Sequence, residues 1–298
     1  MEKVLIVGVS GILGKQIFQS FKSIYNLSGV ARKDDFKEDY FISLDLVQSE
    51  KVDFFVKKSK VYDCIIFLVG LAHKKGRNSD YDEFYNTNFL TLKNLLSCLE
   101  KENKLPPKII FASTISVYGE KMKTSLYHEN SVKTPFSPYA ITKRKAEKYL
   151  QKNYPNQSYI LRLAPVYSSN FTLNIKRRTK LLSFYYKVGN GGQKLSLCNI
   201  SNILVVIEAI IDEKIPAGVY NIADNCEYHY TDLLEHINAK SKITIPSVFI
   251  WILYYFGRSI GNNYLRENSI KLLSNNIYSI EKIKKYIDLK NTLYSEKF

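Results

Sequence analysis

The chain is poor in the residues that break or staple a protein: its 298 residues include 13 glycines, 8 prolines, 4 cysteines and a single tryptophan. So few breakers exclude collagen-like and low-complexity chains, and a 45% hydrophobic, 13% aromatic composition excludes a disordered one. Cys64, Cys98, Cys198 and Cys226 lie far apart, with no CxxC pair and no Cys/His spacing that suits zinc. That scarcity argues against a disulfide framework, a metal site or a redox pair, and fits a reducing cytoplasm. A long apolar run is lacking too. The longest, Val248 to Phe256, falls well short of the ~20 residues that cross a bilayer, so stable membrane insertion is not expected. The amino-terminal apolar run is very short and ends in glycines instead of a cleavage site, which reads as a buried strand and not a signal peptide.

Acid is the scarcer charge, with 28 Asp and Glu against 43 Lys and Arg, for a formal net charge of +15. The excess is shared between the halves: 26 cations against 17 acids in residues 1–165, and 17 against 11 in residues 166–298. No polybasic block or basic tail stands apart, and cations are not interleaved with aromatics in one tract. A field of this kind suits phosphorylated small molecules better than a nucleic acid.

Apolar runs at Lys3–Val7, 28–31, 40–44, 64–69, 108–112 and 159–163 read as strands. Helical spacing appears at Ile12–Phe21, 51–58, 84–99 and 138–149. Strands that are apolar throughout, alternating with helices, predict a parallel sheet covered on both faces. After Pro165 the alternation weakens: we expect a helix over 173–186, a turn at Gly189 to Gly192, a helix over 203–211 and a strand at Gly218–Ile222. The chain therefore divides into an alternating α/β domain, 1–165, and a smaller region, 166–298, packed on the carboxyl edge of the sheet.

Gly8, Gly11 and Gly14 lie between the first strand and the first helix. Glycines there allow a tight turn, a close approach of backbone amides to a pyrophosphate and close packing of helix on sheet, with Ile12 opening the helix. At the end of the second strand an acid would bond an adenosine ribose hydroxyl, whereas a cation would pair with a 2′-phosphate. Arg32 and Lys33 stand there, followed by Asp34, so NADP(H) is expected in preference to NAD(H). Further on, Ser137 and Pro138 are good helix-starting residues, placing Tyr139 and Lys143 four apart on one face. An ammonium beside a phenol lowers its pKa towards the working pH and makes it usable in proton transfer.

In order and spacing these motifs resemble the extended short-chain dehydrogenase/reductases, the group of nucleotide-sugar epimerases, dehydratases and 4-keto-reductases. The resemblance covers almost the whole chain. It rests on the glycine turn, Asp45-Leu46 after the third strand, Phe67 to Gly70 on the fourth and Asn88 in the next helix. It continues through Ser113 to Gly119 after the fifth strand, Pro135 to Lys143, and Arg162 to Tyr167. It implies a Rossmann-type doubly wound parallel sheet with helices on both faces and a smaller mixed α/β C-terminal substrate region.

The resemblance also implies roles. Tyr139 would be the proton donor or acceptor, Lys143 would tune it and hold the nicotinamide ribose, and Thr114 would bond the reacting oxygen, with Ser113 and Ser116 as alternatives. Asp45 and Leu46 would border the adenine, Leu68, Val69 and Gly70 would pass under the cofactor, and Pro165 and Val166 would meet the nicotinamide.

Within that group the 4,6-dehydratases place an Asp-Glu pair after the catalytic hydroxyl. Here Ile115 and Ser116 follow Thr114, which weighs against dehydration. Reduction of a UDP-N-acetyl-hexosamine-type 4-keto-sugar is the expected activity, with NAD-dependent 4-epimerisation as the alternative and a non-catalytic dinucleotide-binding protein behind both. Surface-polysaccharide enzymes are the nearest in appearance, on Leu71 to His73, Val166 to Asn174 and Asn202, although Ser168 and Ser201 depart from their pattern. His73, Asn174 and Arg178 are the candidate substrate contacts; a solvated helix face explains the Lys176 to Arg178 cluster equally well. A homodimer is compatible with this reading. The run Val248–Phe256 is expected to cover the substrate region or pack on a partner, ahead of docking on a membrane surface.

Overall fold

The computed structural model describes residues 1–32, 41–72, 81–119, 126–239 and 242–295. In chain order it contains β1 (Lys3–Val7), α1 (Ile12–Phe21), β2 (Asn26–Ala31), β3 (Phe41–Ser43), α2 (Ser49–Lys58), β4 (Cys64–Phe67) and α3 (Tyr81–Tyr85). A π-helical turn (Asn86–Leu90) leads into α4 (Thr91–Lys101), β5 (Lys108–Thr114), a 3-10 turn (Ile115–Tyr118), β6 (Leu126–Tyr127), α5 (Pro138–Asn153) and β7 (Ser158–Leu163). There follow β8 (Val166–Tyr167), α6 (Leu173–Thr179), β9 (Lys180–Leu181), β10 (Phe184–Val188), β11 (Lys194–Leu195), β12 (Cys198–Asn199), α7 (Ile200–Ile211) and β13 (Gly218–Ile222). The chain ends with β14 (Tyr228–His229), α8 (Tyr230–His236), β15 (Lys242–Ile245), α9 (Ser247–Ser259), α10 (Asn263–Leu273) and β16 (Ile277–Tyr278).

Seven strands form the main sheet in the order β13-β7-β5-β4-β1-β2-β3. The pairs β1–β2, β2–β3, β1–β4 and β4–β5 are parallel. The chain thus winds outward from β1 in one direction and then, from β4, in the other, which is the doubly wound Rossmann-type sheet. Such an order opens a crevice beyond the carboxyl ends of β1 and β4. The strands can be apolar on both faces because helices cover both: Val4 to Val7 and Cys64 to Phe67 are all fully buried. On α4, Leu92, Leu95, Leu96 and Leu99 recur at helical spacing and pack into the same core as Leu5, Ile65, Phe67, Ile109, Phe111, Ala146 and Leu150.

Two compact units are present. One takes Met1–Thr114, Pro138–Leu161 and Ile207–Val219; the other takes Ile115–Ser137, Arg162–Val206 and Tyr220–Phe298. In the second unit the buried carboxylate of Asp224 accepts from the hydroxyls of Tyr167 (2.7 Å) and Tyr228 (2.8 Å), from the Asn199 backbone amide (2.7 Å) and from Asn202 Nδ2 (2.9 Å). Burial pushes its carboxyl up to about 6, against the pull of these donors. Asn202 Nδ2 also donates to the Asn291 carbonyl (2.7 Å), and the Asn291 amide donates back to Asn202 Oδ1 (3.1 Å), which ties down the C-terminal segment.

One expected element is corrected. The helix predicted over 173–186 ends at Thr179, and residues 180–188 form an antiparallel hairpin, β9 and β10. Leu182 turns it with a left-handed φ of 53°. Phe184, Tyr185 and Tyr186 favour a strand over a helix, and Tyr186 and Val188 alternate inward to pack with Ile250. Cys64 and Cys198 are buried thiols, both pushed up by desolvation, and none of the four cysteines is bonded to another.

The two cores make separate predictions. Ile65→Ala is expected to cost about 2–5 kcal/mol through the cavity it leaves. Asp224→Ala strands several buried donors at ~1–3 kcal/mol each and should cost at least as much. Urea unfolding measures both, and a wild-type midpoint for Asp224→Ala would remove the central role given to that carboxylate.

Candidate active site

The glycine turn is built to take something close. Gly8 has a left-handed φ of 94°, and a Cβ there would lie 3.1 Å from Val69 N. A Cβ on Gly14 would lie 2.5 Å from the Gly8 carbonyl oxygen and 2.7 Å from Val9 Cα, so any side chain would push α1 off β1. Gly11 caps α1 without a side-chain hydrogen bond, no acid occupies the first turn, and Gly11 and Ile12 are exposed. The first amides of the helix are therefore open to an anion, an arrangement that fits a dinucleotide pyrophosphate.

At the end of β2, Arg32 is exposed. Lys33 lies outside the described residues, as does His73. Asp45 accepts from the Val47 amide (3.1 Å) and from Gln48 Nε2 (3.3 Å), shaping the entry to α2. Leu46 is buried in the core, and its carbonyl accepts from Asn94 Nδ2 (3.0 Å).

Lys143 joins three segments. Only 2% exposed, it donates from Nζ to the carbonyls of Ala112 on β5 (2.9 Å) and Val69 after β4 (3.1 Å), and Nζ sits 4.7 Å from the centroid of the Phe111 ring. A Cβ on Gly70 would come 3.1 Å from that Nζ, a tight fit that Lys143 would have to yield to. Burial drives the ammonium down to about 7, and the nearby Glu147 carboxylate only partly opposes it. Tyr139, half-buried, stands one turn earlier on α5, and Thr114 ends β5 two residues beyond Ala112.

Asn88 and Glu147 complete the frame. The π turn places Asn88 fully buried. Its Oδ1 accepts from the Leu71 amide (2.6 Å), while Nδ2 donates to the Leu71 carbonyl (3.3 Å) and Thr142 Oγ1 (3.0 Å). Glu147, fully buried, accepts from Ser113 Oγ (2.6 Å) and Arg144 Nη1 (2.7 Å). Asn88 was visible in the sequence as a family residue; Glu147 was missed, although a glutamate one turn beyond Lys143 on the apolar face of α5 is a readable signal.

The expected residues of the second unit have structural partners of their own. Pro165 and Val166 are half-buried. Asn174 Nδ2 donates to the Val166 carbonyl (2.8 Å), and Arg178 Nη1 to the Asn174 carbonyl (2.9 Å). Arg162, 1% exposed, lies with its guanidinium 5.0 Å from the Tyr118 ring centroid and donates to the Tyr118 hydroxyl (2.9 Å) and the Glu129 carbonyl (2.9 Å).

Residues 4–223 match the NAD dependent epimerase/dehydratase family, and the chain belongs to it. Among curated proteins it is similar to the dTDP-D-glucose 4,6-dehydratase of Mus musculus, 23% identical over 273 residues that cover 82% of this chain and 74% of that one. Four curated relatives are matched over 62 to 74% of their own lengths. Among solved structures it is similar to the UDP-Glc/GlcNAc 4-epimerase of Campylobacter jejuni, with a TM-score of 0.76 at 17% identity over 99% of this chain and 95% of that one. The UDP-glucuronic acid 4-epimerase of Bacillus cereus, solved in complex with NAD, gives 0.69 at 19% identity over 97% and 91%.

A pH dependence follows from Lys143. Its folded-state pKa is depressed from 10.5, so the unfolded chain binds the proton more tightly. The ligand-free protein therefore loses stability as pH falls from about 10 to about 7, and carries the full penalty below that. Lys143→Met is expected to stabilise the ligand-free fold by about 1–4 kcal/mol near pH 6 and by much less at pH 9. Thermal melts at the two pH values check this, and an equal effect at both would refute it.

Proposed function

We propose that the protein reduces a UDP-linked 4-keto-sugar of the N-acetyl-hexosamine type with NADPH. What supports this reading is that Thr114 ends β5, Tyr139 and Lys143 stand on the first turns of α5 with Lys143 bonded to β5, and Ile115 and Ser116, not carboxylates, follow Thr114. A nicotinamide bound there supplies the hydride. As the carbonyl carbon takes the hydride, the Tyr139 phenol would donate a proton to the carbonyl oxygen, which the Thr114 hydroxyl would hold by a hydrogen bond. The Lys143 ammonium favours the ionised phenol that remains and offers a donor to the ribose. Dehydration would need a second acid/base pair near the hexose, and Ile115 and Ser116 have no group that fills the role.

Tyr139→Phe should leave the fold and the NADPH dissociation constant nearly unchanged while turnover falls roughly 10²–10⁴-fold. Near-normal turnover would assign the proton transfer to another residue.

The cofactor reading rests on Arg32, exposed at the end of β2 where an NAD-selective site places an acid. A charge-assisted bond to a 2′-phosphate is worth ~1.5–3 kcal/mol, so Arg32→Asp should weaken NADPH by roughly tenfold or more and leave NADH little changed. A reductase exchanges its cofactor at each turnover, so the purified protein should hold little of it and consume one NADPH per keto-sugar converted. The second reading, 4-epimerisation, is favoured by the NAD-bound epimerase of the same fold. Tightly held NAD, with interconversion of UDP-N-acetylglucosamine and UDP-N-acetylgalactosamine without added cofactor, would replace the first reading with it.

A further inference from the structure

Helix α9 has two faces, and the wrong one is apolar. Ile250 and Gly257 are buried, with Tyr254 between them half-buried. Gly257 seats the helix against α10, where a Cβ would lie 2.9 Å from Leu265 Cβ. The outward face carries Val248, Phe249, Ile252, Tyr255 and Phe256, all more than half exposed, flanked by Trp251 and Leu253. On a surface helix of a soluble protein that stripe is polar.

The small sheet beside α9 extends the apolar surface. In its parallel pairing Tyr186 lies beside Ile243 and Val188 beside Ile245. Tyr186, Val188 and Ile245 pack under Ile250, whereas Phe184 and Ile243, on the same face by strand alternation, are 59% and 47% exposed. Leu181 and Leu182 at the hairpin turn are exposed as well. At about half of 150–250 Å² for each large side chain, this surface is on the order of 1,000 Å², beyond the ~300–600 Å² of the largest patch on a typical monomer.

The segments that build it carry charge of one sign, and Glu267 on the adjoining α10 is paired with Lys271. Residues 166–207 and 236–266, which build the hairpin, β15 and α9, contain ten Lys and Arg and no Asp or Glu. Lys194 is paired with Glu227, and Lys240 lies outside the described residues. Lys176, Arg177, Lys180, Lys242 and Arg258 are exposed.

We propose that this face docks the protein on an anionic phospholipid bilayer, with α9 lying in the interface. Thirteen residues are too few to span. Bulky apolar side chains on one face, tryptophan and tyrosine among them, and a cationic surround are the recognised means of holding a helix at the headgroup level. A second copy of the chain is the poorer occupant: a two-fold contact through α9 would set the same cations against themselves, with no acid in either segment to pair with them.

Trp251 is the only tryptophan, so its emission reports the contact directly. Vesicles of phosphatidylglycerol and phosphatidylcholine should carry the protein in a flotation gradient, shift Trp251 emission to the blue and, when brominated, quench it. Pure phosphatidylcholine should bind several-fold less, and so should the anionic vesicles at 1 M salt, where the screening length falls to ~3 Å. Phe249→Glu with Phe256→Glu, both at exposed positions, should keep the melting temperature and lose roughly tenfold or more in binding. Lys180→Glu and Lys242→Glu should each cost about fivefold. No flotation with anionic vesicles overturns the proposal, as does equal binding to both lipids. So does Trp251 emission that changes with protein concentration and ignores vesicles, which would assign the face to a second copy. Each readout is independent of the reductase reading.

Discussion

A buried ammonium sets the terms for the catalytic side of this protein. Lys143 donates one hydrogen bond to a carbonyl near the end of β5 and one to a carbonyl after β4, so the helix that carries it is fixed against both strands at their carboxyl ends. Those are the ends where the doubly wound order opens its crevice. The same Nζ crowds Gly70, where a Cβ would come within 3.1 Å, and the next residue, Leu71, is held through Asn88 to Thr142 on the Lys143 helix. A charge kept at 2% exposure disfavours the folded state. Two backbone carbonyls, an aromatic face and a carboxylate one turn away offset part of that cost. What remains is strain held where chemistry needs it, because an ammonium with its proton loosely bound near neutral pH responds to a phenol or a ribose placed beside it.

Much of this was legible in the chain. The strands over Lys3–Val7 and Gly218–Ile222 and the helix over Ile12–Phe21 fall at the residues where periodicity placed them, because a fully buried parallel strand leaves a continuous apolar run and a helix leaves a stripe. The glycine turn was readable because Gly8 needs a left-handed φ and Gly14 leaves no room for a Cβ. Tyr139 and Lys143 were readable because a helix start with Ser137 and Pro138 fixes their phase.

The rest depended on contacts between residues far apart in the chain. Residues 173–186 have helical spacing throughout, yet the helix stops at Thr179 and the aromatic stretch beyond it forms a strand on which Tyr186 and Val188 pack with Ile250. Glu147 and Ser113 bond across 34 positions, and Asp224 gathers Tyr167 across 57. Such pairs leave no periodic trace. The charge excess was likewise read too evenly: counted by halves it looks uniform, yet in the second half ten of 17 cations fall in two acid-free segments that become neighbours only when β10 pairs with β15.

In the proposed function, the reaction class turns on what surrounds Thr114, Tyr139 and Lys143. A hydroxyl, a phenol and an ammonium can move a proton to or from a sugar oxygen in reduction and in epimerisation alike, since both pass through the same carbonyl. Elimination of water adds a proton to remove and another to donate, and so needs carboxyl groups that Ile115 and Ser116 lack. Between the other two the difference lies in residence. An epimerase gives the hydride back and gains by never releasing its dinucleotide, so bonds to the adenosine ribose are best made as strong as they can be. A reductase must let the oxidised form go, so its affinity is better placed on a phosphate that distinguishes the cellular pool it draws from than on contacts that slow release. Arg32 is exposed and cationic at the end of β2, and the proposed reductase reading gives it the second task. On the reading proposed above, the side chain that separates the two reactions lies at the far end of the cofactor and not among the groups that move the proton.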